Sequence, residues 1–400
     1  GQTFRDLAAL IARRPLLLAA LGSAYFWALG ALAQLNIDKF AQFELLVKQE
    51  SVGPLLGVLT LGIGVGSVLA GIWSRGKIEL GLVPIGALGM ALFAMALCTV
   101  PRGTGEMLSA PYYWACFWLF ALGAAAGLYD IPLLAFLQDR SPKESRARIL
   151  AAYNLMAFAG MFATSAAFGV LAGTLGLSAR QIWLVAGIVT VPVFLCILWL
   201  VFHRVAYLIA QTLVWLFYRM RVFGLENLPK EGGALLIPNH ISWIDGVLLT
   251  LATPRPIRLV AHQDYIGGRL IGRLARDYDV IPIVPGRRSV VRSIRAAREA
   301  LKQGDLVCIF PEGGLSRTGQ INPFTPGFLS ILKGTGAPVI PVHLGGLWGS
   351  VFSFERGKFF WKWPRRLPYP VAVRFGRPIQ GTPDILEVRT AVPELESEAL

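Results

Sequence analysis

Residues 235–245, LLIPNHISWID, decide how the second half of the chain reads. Leu235, Leu236 and Ile237 form an apolar run of strand character, and Pro238, with no N–H to give a ladder, ends it as Asn239 and His240 emerge. The histidine is therefore expected at a strand tip. The next residues lead to Asp245 with enough chain for a turn that brings its carboxylate back to the imidazole at the start of a helix. A carboxylate on one ring nitrogen fixes the tautomer and stabilises the imidazolium, leaving the other nitrogen to take a proton from a hydroxyl. Such a pair is a general base without its own nucleophile. Standing alone, a histidine near an aspartate is more often a surface pair than a catalytic one.

A second stretch favours the chemical reading. Residues 305–317, DLVCIFPEGGLSR, again run an apolar strand into a proline, then give a carboxylate, two glycines, a hydroxyl and an arginine. Glycines let backbone amides approach a ligand, and an arginine beside them suits a phosphate. Between the two stretches, residues 258–261 read as a strand, and 289–302 place Val290, Ile294, Ala297 and Leu301 at helical spacing, with Gly304 as the stop. Strands alternating with amphipathic helices predict an α/β domain with a mostly parallel sheet, which binds ligands at the carboxyl ends of its strands. Arg292, Arg295 and Arg298 read as a solvated helix face, with a phosphate-facing row as the alternative.

NHISWID and FPEGGLSR resemble the first and third blocks of the glycerolipid acyltransferase family, whose type members are 1-acylglycerol-3-phosphate acyltransferases, and Val339-Ile340-Pro341-Val342 resembles a later block. The resemblance implies that His240 is the base, Asp245 its orienting partner, and Asn239, Glu312, Gly313 and Ser316 part of the substrate site. It also implies no metal and no cofactor, with acyl carrier protein or CoA bringing the acyl group as a thioester. Where that family has Thr-Arg after the Glu-Gly pair, this chain has Gly314-Leu315, so Arg317, or Arg287 and Arg288, is expected to meet the acceptor's phosphate.

The first half is of another kind. With 54% hydrophobic residues and a mean hydropathy of +0.56, the chain is too apolar for an ordinary soluble enzyme. Apolar stretches near 15–33, 53–73, 82–100, 113–136, 149–175 and 182–202 read as six transmembrane helices. The linkers on one side (the start, 74–79 and 139–148) hold nine Lys/Arg, against Lys39, Lys48, Arg102 and Arg180 on the other. That asymmetry puts the amino end and the acyltransferase blocks in the cytoplasm. GIWSRGKIELG (71–81) and QDRSPKESRARILAAYN (138–154) resemble loops of the major facilitator superfamily. Six spans are half of such a transporter, so a missing N-terminal half is the expected partner, in keeping with a start at Gly1. Asp130, an ionisable residue in or at the end of a span, is the transport candidate. Asp38 and Lys39 read as an interfacial pair after the first span.

The formal net charge of +14 lies mostly on the second half, with thirteen Lys/Arg against nine Asp/Glu before His203 and twenty-five against fifteen from there on. Motifs that read nucleic acid are lacking, and anionic headgroups attract the same charge, so the expected partners are membrane phospholipids and lysophospholipids and no nucleic acid. Cys98, Cys116, Cys196 and Cys308 have neither paired nor metal-ligand spacing and read as free thiols. Residues 204–221, apolar with basic ends, suit a helix lying on the inner leaflet, and the aromatic, basic segment 348–370 suits a second membrane contact.

The expected architecture is thus a membrane α-helical bundle of six spans, half of a major facilitator fold, followed by an α/β acyltransferase domain. Its boundaries are 1–202 for the half-transporter, 203–222 for an interfacial connecting helix, 223–385 for the cytoplasmic acyltransferase domain and 386–400 for a C-terminal linker. The combination resembles bacterial fusions of a lysophospholipid transporter with a 2-acylglycerophosphoethanolamine acyltransferase, which implies a multi-pass protein of the bacterial inner membrane. The alternatives are an acyltransferase for lysophosphatidate or glycerol 3-phosphate, and a lysophospholipid transporter whose cytoplasmic domain only binds.

Overall fold

The computed structural model describes residues 13–74, 77–107, 109–357 and 367–397. The chain divides into two compact units, residues 1–208 and 209–400.

The first unit is helical: α1 (Arg14–Phe43), α2 (Val52–Ser74), α3 (Leu82–Leu97), α4 (Ala110–Arg140), α5 (Arg146–Gly169) and α6 (Ala179–Leu200). Five of them are long and apolar enough to cross a membrane. The third, α3, has only 16 residues, a rise of roughly 24 Å, which falls short of a hydrocarbon core of roughly 30 Å. The expected span over 82–100 is thus shorter than proposed. Asp38 and Lys39 also depart from expectation, since α1 continues through them to Phe43. There the Lys39 ammonium donates to the Leu177 carbonyl at 2.7 Å, and the buried Asn36 amide donates to Ala179 O at 2.9 Å. Helices α2 and α4 cross backbone to backbone. A Cβ on Gly62 or Gly66 would run into Phe120 O or Ala124 O, and one on Gly123 or Gly127 into Leu59 O or Ile63 O. Such reciprocal glycine pairs let apolar helices approach closely where no hydrophobic force drives them together.

The sequel to the last span differs from the single helix expected over 203–222. Helix α7 (Phe202–Phe217) ends at Phe217, and Tyr218 opens strand β1 (Tyr218–Phe223). The period changes there from helical to alternating: Tyr218 is buried, Met220 and Val222 pack inward, and Arg219, Arg221 and Phe223 are exposed. Gly224, at φ +73°, closes the strand where any Cβ would strike Phe375 O.

The second unit is built on a seven-stranded sheet of order β1-β7-β6-β2-β5-β3-β4. After β1 come β2 (Ala234–Pro238), β3 (Ile257–His262), β4 (Ile281–Ile283), β5 (Leu306–Ile309), β6 (Val339–Gly345) and β7 (Tyr369–Phe375). Strands β2 to β6 are mutually parallel, β7 is antiparallel to β6, and β1 is parallel to β7. Helices α8 (Asp245–Ala252), α9 (Arg269–Asp277), α10 (Arg287–Lys302) and α11 (Gly327–Leu332) complete the crossovers. Two cores form, one on each face. Ala234 and Leu236 enter the first, Leu235 and Ile237 the second, so β2 is buried throughout, as a central parallel strand must be.

Residues 386–400, expected as a linker, instead give helix α12 (Ile385–Ser397). Val388 and Val392, one helical turn apart, are fully buried in the second core beside Val339. The proposed membrane contact over 348–370 is also revised. Leu347, Ser350 and Ser353 are buried, and Trp348 and Phe352 pack on the first core, so this part belongs to the domain interior. Residues 358–366 lie outside the described residues.

Candidate active site

Strand β2 ends at Pro238, and the chain turns away from the sheet with its next side chains fixed one by one. Asn239 is buried and pairs with Leu344 of β6 twice, accepting from its N–H at 2.7 Å and donating to its carbonyl at 3.2 Å. It anchors the tip of β2 to its neighbour. The His240 backbone N–H donates to Glu312 Oε1 at 2.7 Å, and the His240 carbonyl accepts from Ser316 N–H at 2.8 Å. The two motif loops are thereby stitched together across β2 and β5.

Helix α8 begins at Asp245, whose carboxylate turns back as the spacing requires. Its Oδ2 accepts from His240 Nδ1 at 2.9 Å, Ile241 N–H at 2.8 Å and Ser242 N–H at 2.9 Å. With Nδ1 donating, the lone pair of the imidazole is on Nε2. The His240 side chain is 21% exposed and the Asp245 side chain fully buried, so the carboxylate sits under the ring and the ring faces outward. Phe310, the last residue before Pro311, stacks on the imidazole at 4.1 Å between ring centres and fixes its plane. This contact was missed from the sequence, where Phe310 read only as the end of an apolar strand.

Burial pushes the Asp245 carboxyl above its usual range, against the hydrogen bonds and charge of His240 and the amides of Ser242 and Ile241. Glu312 is raised for the same reason. Its opposing bonds come from the backbone N–H groups of Asn322 and His240. Both Glu312 oxygens are thus engaged, Oε2 at 2.8 Å from Asn322 N. Glu312 is a brace between loops. Ser316 is likewise committed: its fully buried hydroxyl donates to Gln320 O at 2.6 Å and accepts from Gly319 N–H at 3.0 Å. Asn239, Glu312 and Ser316, expected at the substrate site, are thus each tied to backbone atoms as well.

Gly313, at φ +70°, and Gly314 have open space where a Cβ would stand, so this turn leaves its backbone bare beside the dyad. Arg317 is exposed and leans over the Phe354 ring at 5.3 Å, one residue from the Ser316 amide that holds His240. Arg287 and Arg288 begin α10 just after β4. That strand is three positions from β2, roughly 14 Å away along the sheet, so the arginine pair flanks the dyad at a distance. In the other unit, Asp130 is buried and accepts from Ser23 Oγ. Ser23 also meets Tyr153 Oη at 3.0 Å, and Trp27 Nε1 donates to the same oxygen at 2.8 Å. Asp130 stands ten residues before the end of α4 at Arg140, about 15 Å along the axis, so it lies within the helix and not at its end.

The Major Facilitator Superfamily model matches residues 8–275, and the Acyltransferase model matches residues 219–345. The chain belongs to the major facilitator superfamily and carries an acyltransferase domain. The two matches overlap over 219–275, a stretch that forms β1 to β3 of the sheet and so is acyltransferase in structure. Helices of this length and composition in a member of that superfamily make a multi-pass membrane protein.

Among curated relatives, the chloroplastic 1-acyl-sn-glycerol-3-phosphate acyltransferase of Brassica napus is 31% identical over 146 residues, which cover 36% of this chain and 42% of that protein. The chloroplastic enzyme of that name from Arabidopsis thaliana is 30% identical and covered over 41% of its length. The 1-acyl-sn-glycerol-3-phosphate acyltransferase of Bacillus subtilis is 28% identical over 143 residues, 35% of this chain and 69% of that enzyme. The chain thus spans about four-tenths of the two plant relatives. The crystal structure of the 1-acyl-sn-glycerophosphate acyltransferase of Thermotoga maritima is 25% identical, with a TM-score of 0.39, covering 49% of this chain and 80% of that one.

Proposed function

We propose that this protein transfers a fatty acyl group from a thioester, carried by acyl carrier protein or CoA, to the free hydroxyl of a lysophospholipid, 2-acylglycerophosphoethanolamine in the first instance. The observation that carries the reading is the His240–Asp245 pair: Nδ1 is bound to a buried carboxylate while the imidazole side chain stays partly exposed. His240 Nε2 takes the proton as the acceptor oxygen attacks the thioester carbonyl. The tetrahedral intermediate collapses, the carrier thiolate leaves, and the proton on Nε2 goes to its sulfur. Asp245 stabilises the imidazolium in between. A thioester is activated already, so neither a metal nor a covalent enzyme intermediate is required. Gly313 and Gly314 leave room for the acceptor, and Arg317, next to the Ser316 amide that holds His240, meets its phosphate.

The site is read as lying on the cytoplasmic side of a bacterial inner membrane, from the excess of Lys/Arg in the linkers expected to be inside. The apolar unit then supplies lysophospholipid to that leaflet, with Asp130 as its transport residue and a second half-transporter as its partner. The deciding experiment incubates the purified full chain with labelled acyl-CoA or acyl carrier protein and a panel of lysolipids. Acylation of lysophosphatidylethanolamine, lost on His240→Ala, is the expected result. Undiminished transfer by a folded His240→Ala variant would refute the reading. A second reading, with lysophosphatidate or glycerol 3-phosphate as acceptor, is favoured by the names of the relatives, and the same panel separates the two.

A further inference from the structure

We propose that the sheet domain carries a second anion site, a cleft over β6, β7 and β1 beside α12 that takes a small molecule with two or more phosphate groups. The pleat of the strands places its residues. On β1, Tyr218, Met220 and Val222 pack into the first core, so Arg219, Arg221 and Phe223 stand on the opposite face. On β7, Val371, Val373 and Phe375 enter that core, which puts Pro370, Ala372 and Arg374 on the same face as the β1 arginines. On β6, Val342 and Leu344 do so for His343 and Gly345. Register then sets these side chains in rows across three strands. Phe223, Arg374 and His343 form one row, Arg221, Ala372 and Gly345 the next, and Arg219 stands opposite Pro370 beyond them. The middle row has almost no side chain on β6 and β7, so it is a trough with one guanidinium at its outer end and another along its flank. The cleft measures about 1270 Å³, above the roughly 300–1,000 Å³ of ordinary small-molecule sites, and α12 walls one side of it with Ala391 and Leu395.

Two buried atoms here lack a partner. His343 is 5% exposed, and its Nδ1 makes no hydrogen bond among the described residues, and the same holds for the buried Nε of Arg374. A Cβ on Gly345 would stand 3.2 Å from Arg374 Nη1 and 3.4 Å from His343 Nδ1, so the two side chains converge over the floor of the trough. Buried polar groups are nearly always satisfied, and two left open beside a cleft call for a bound polar group. Arg219, Arg221, Arg374 and Arg377 all line the cleft, and among the described residues none of the four pairs with a carboxylate. Guanidinium groups meet phosphate oxygens with parallel N–H donors, and several around one trough suit several phosphates. The acids of the cleft lie at its rim: Glu226 follows β1, and Glu394 and Glu396 are exposed on α12, with Glu396 Oε2 3.8 Å from His343 Nε2. A protein with an acidic surface would meet those carboxylates first and could not reach the recessed floor, which favours a small ligand. None of the lining residues belongs to 235–245 or 305–317, so the site stands apart from the dyad.

The inference does not depend on the reaction assigned to His240, and it is read by binding and not by turnover. Pyrophosphate is titrated calorimetrically into the purified full chain, with orthophosphate and glycerol 3-phosphate as single-phosphate comparisons. Pyrophosphate is expected to bind several-fold more tightly than either. Arg221→Gln, at an exposed position of β1, should weaken it about tenfold, the loss of a charge-assisted hydrogen bond. Ala372→Leu fills the trough without changing its charge and should weaken binding as well. Arg295→Gln, at an exposed arginine of α10, and Arg317→Gln, beside the dyad, should leave pyrophosphate binding unchanged. Competition then distinguishes the source of the phosphates: displacement by CoA and not by ADP assigns the site to an acyl carrier, and equal displacement by ADP to a free nucleotide. Absence of pyrophosphate binding up to millimolar concentration overturns the proposal. Equal weakening by Arg221→Gln and Arg295→Gln also overturns it, as unspecific attraction of charge, and so does loss of binding in Arg317→Gln with none in Arg221→Gln, which would place the anion at the dyad.

Discussion

Asp245 gives one oxygen to three donors, His240 Nδ1 and the amides of Ile241 and Ser242, while its other oxygen is buried without a partner among the described residues. Asp245→Asn can keep its carbonyl toward those donors, so the tautomer survives and only the charge that stabilises the imidazolium is lost. A fall in kcat of roughly 10²-fold is expected, the low end for general-base catalysis, with His240→Ala costing more. The variant has a second signature. A carboxyl held above its ordinary value of 3.8 in the folded state favours folding most below that value, and the contribution is lost as pH rises through the raised one. Melting temperatures measured from acid to neutral pH should therefore shift in favour of Asp245→Asn as pH increases. A constant difference across that range would show that burial does not raise this group. Glu312→Ala removes the acceptor from two backbone N–H groups and should destabilise the unit by about 1–3 kcal/mol. It should lower kcat more than it raises KM, because it loosens the loop that aims His240. The pairing of His240 with Asp245 was legible from their spacing, and its chemical reading came only with the second stretch, residues 305–317. The bracing roles of Asn239, Glu312 and Ser316 were not, because their partners are backbone atoms of Leu344, Asn322 and Gln320, whose positions no motif encodes.

At the scale of elements, strong periodicity was readable and changes of period were not. Helix α10 and strands β2 and β5 stand where apolar spacing put them, because each carries an uninterrupted pattern and meets a Pro or Gly at or just after its end. The α7–β1 junction was hidden because Tyr218-Arg219-Met220-Arg221 continues the apolar and basic composition of the helix while its alternation changes from 3.6 to 2. Helix α12 was hidden by its acidic surface, although Val388 and Val392 give it a buried stripe. Truncation before Ile385 should uncover Val339 and its neighbours in the second core, and loss of monodisperse protein on size exclusion is the expected outcome. The α2–α4 crossing is more exacting. A Cβ on Gly66 would meet the carbonyl, carbonyl carbon and Cα of Ala124, none of which can rotate away. Gly66→Leu should therefore separate the two helices and depress the yield of folded protein, whereas Gly64→Leu, with open space around it, should be tolerated.

For the molecule as a whole, two polar centres stand in two units: the dyad in the sheet domain and the Ser23–Asp130–Tyr153 cluster among the helices. If they serve separate steps, variants should dissociate. Asp130→Asn should leave acyl transfer to detergent-presented lysolipid unchanged and abolish uptake of labelled lysolipid into vesicles, while His240→Ala should do the reverse. The thiols carry a consequence for inhibition. Cys98, Cys116 and Cys196 belong to the helical unit, and Cys308, on β5 beneath the dyad, is completely buried, with burial raising its thiol far from reactive ionisation. A warhead that seeks sulfur would find no reactive thiol in the sheet domain that carries the dyad. Compounds meant to block it have to succeed reversibly, by shape and by displacing the lipid, and resistance would then arise through contour rather than through loss of a labelled atom.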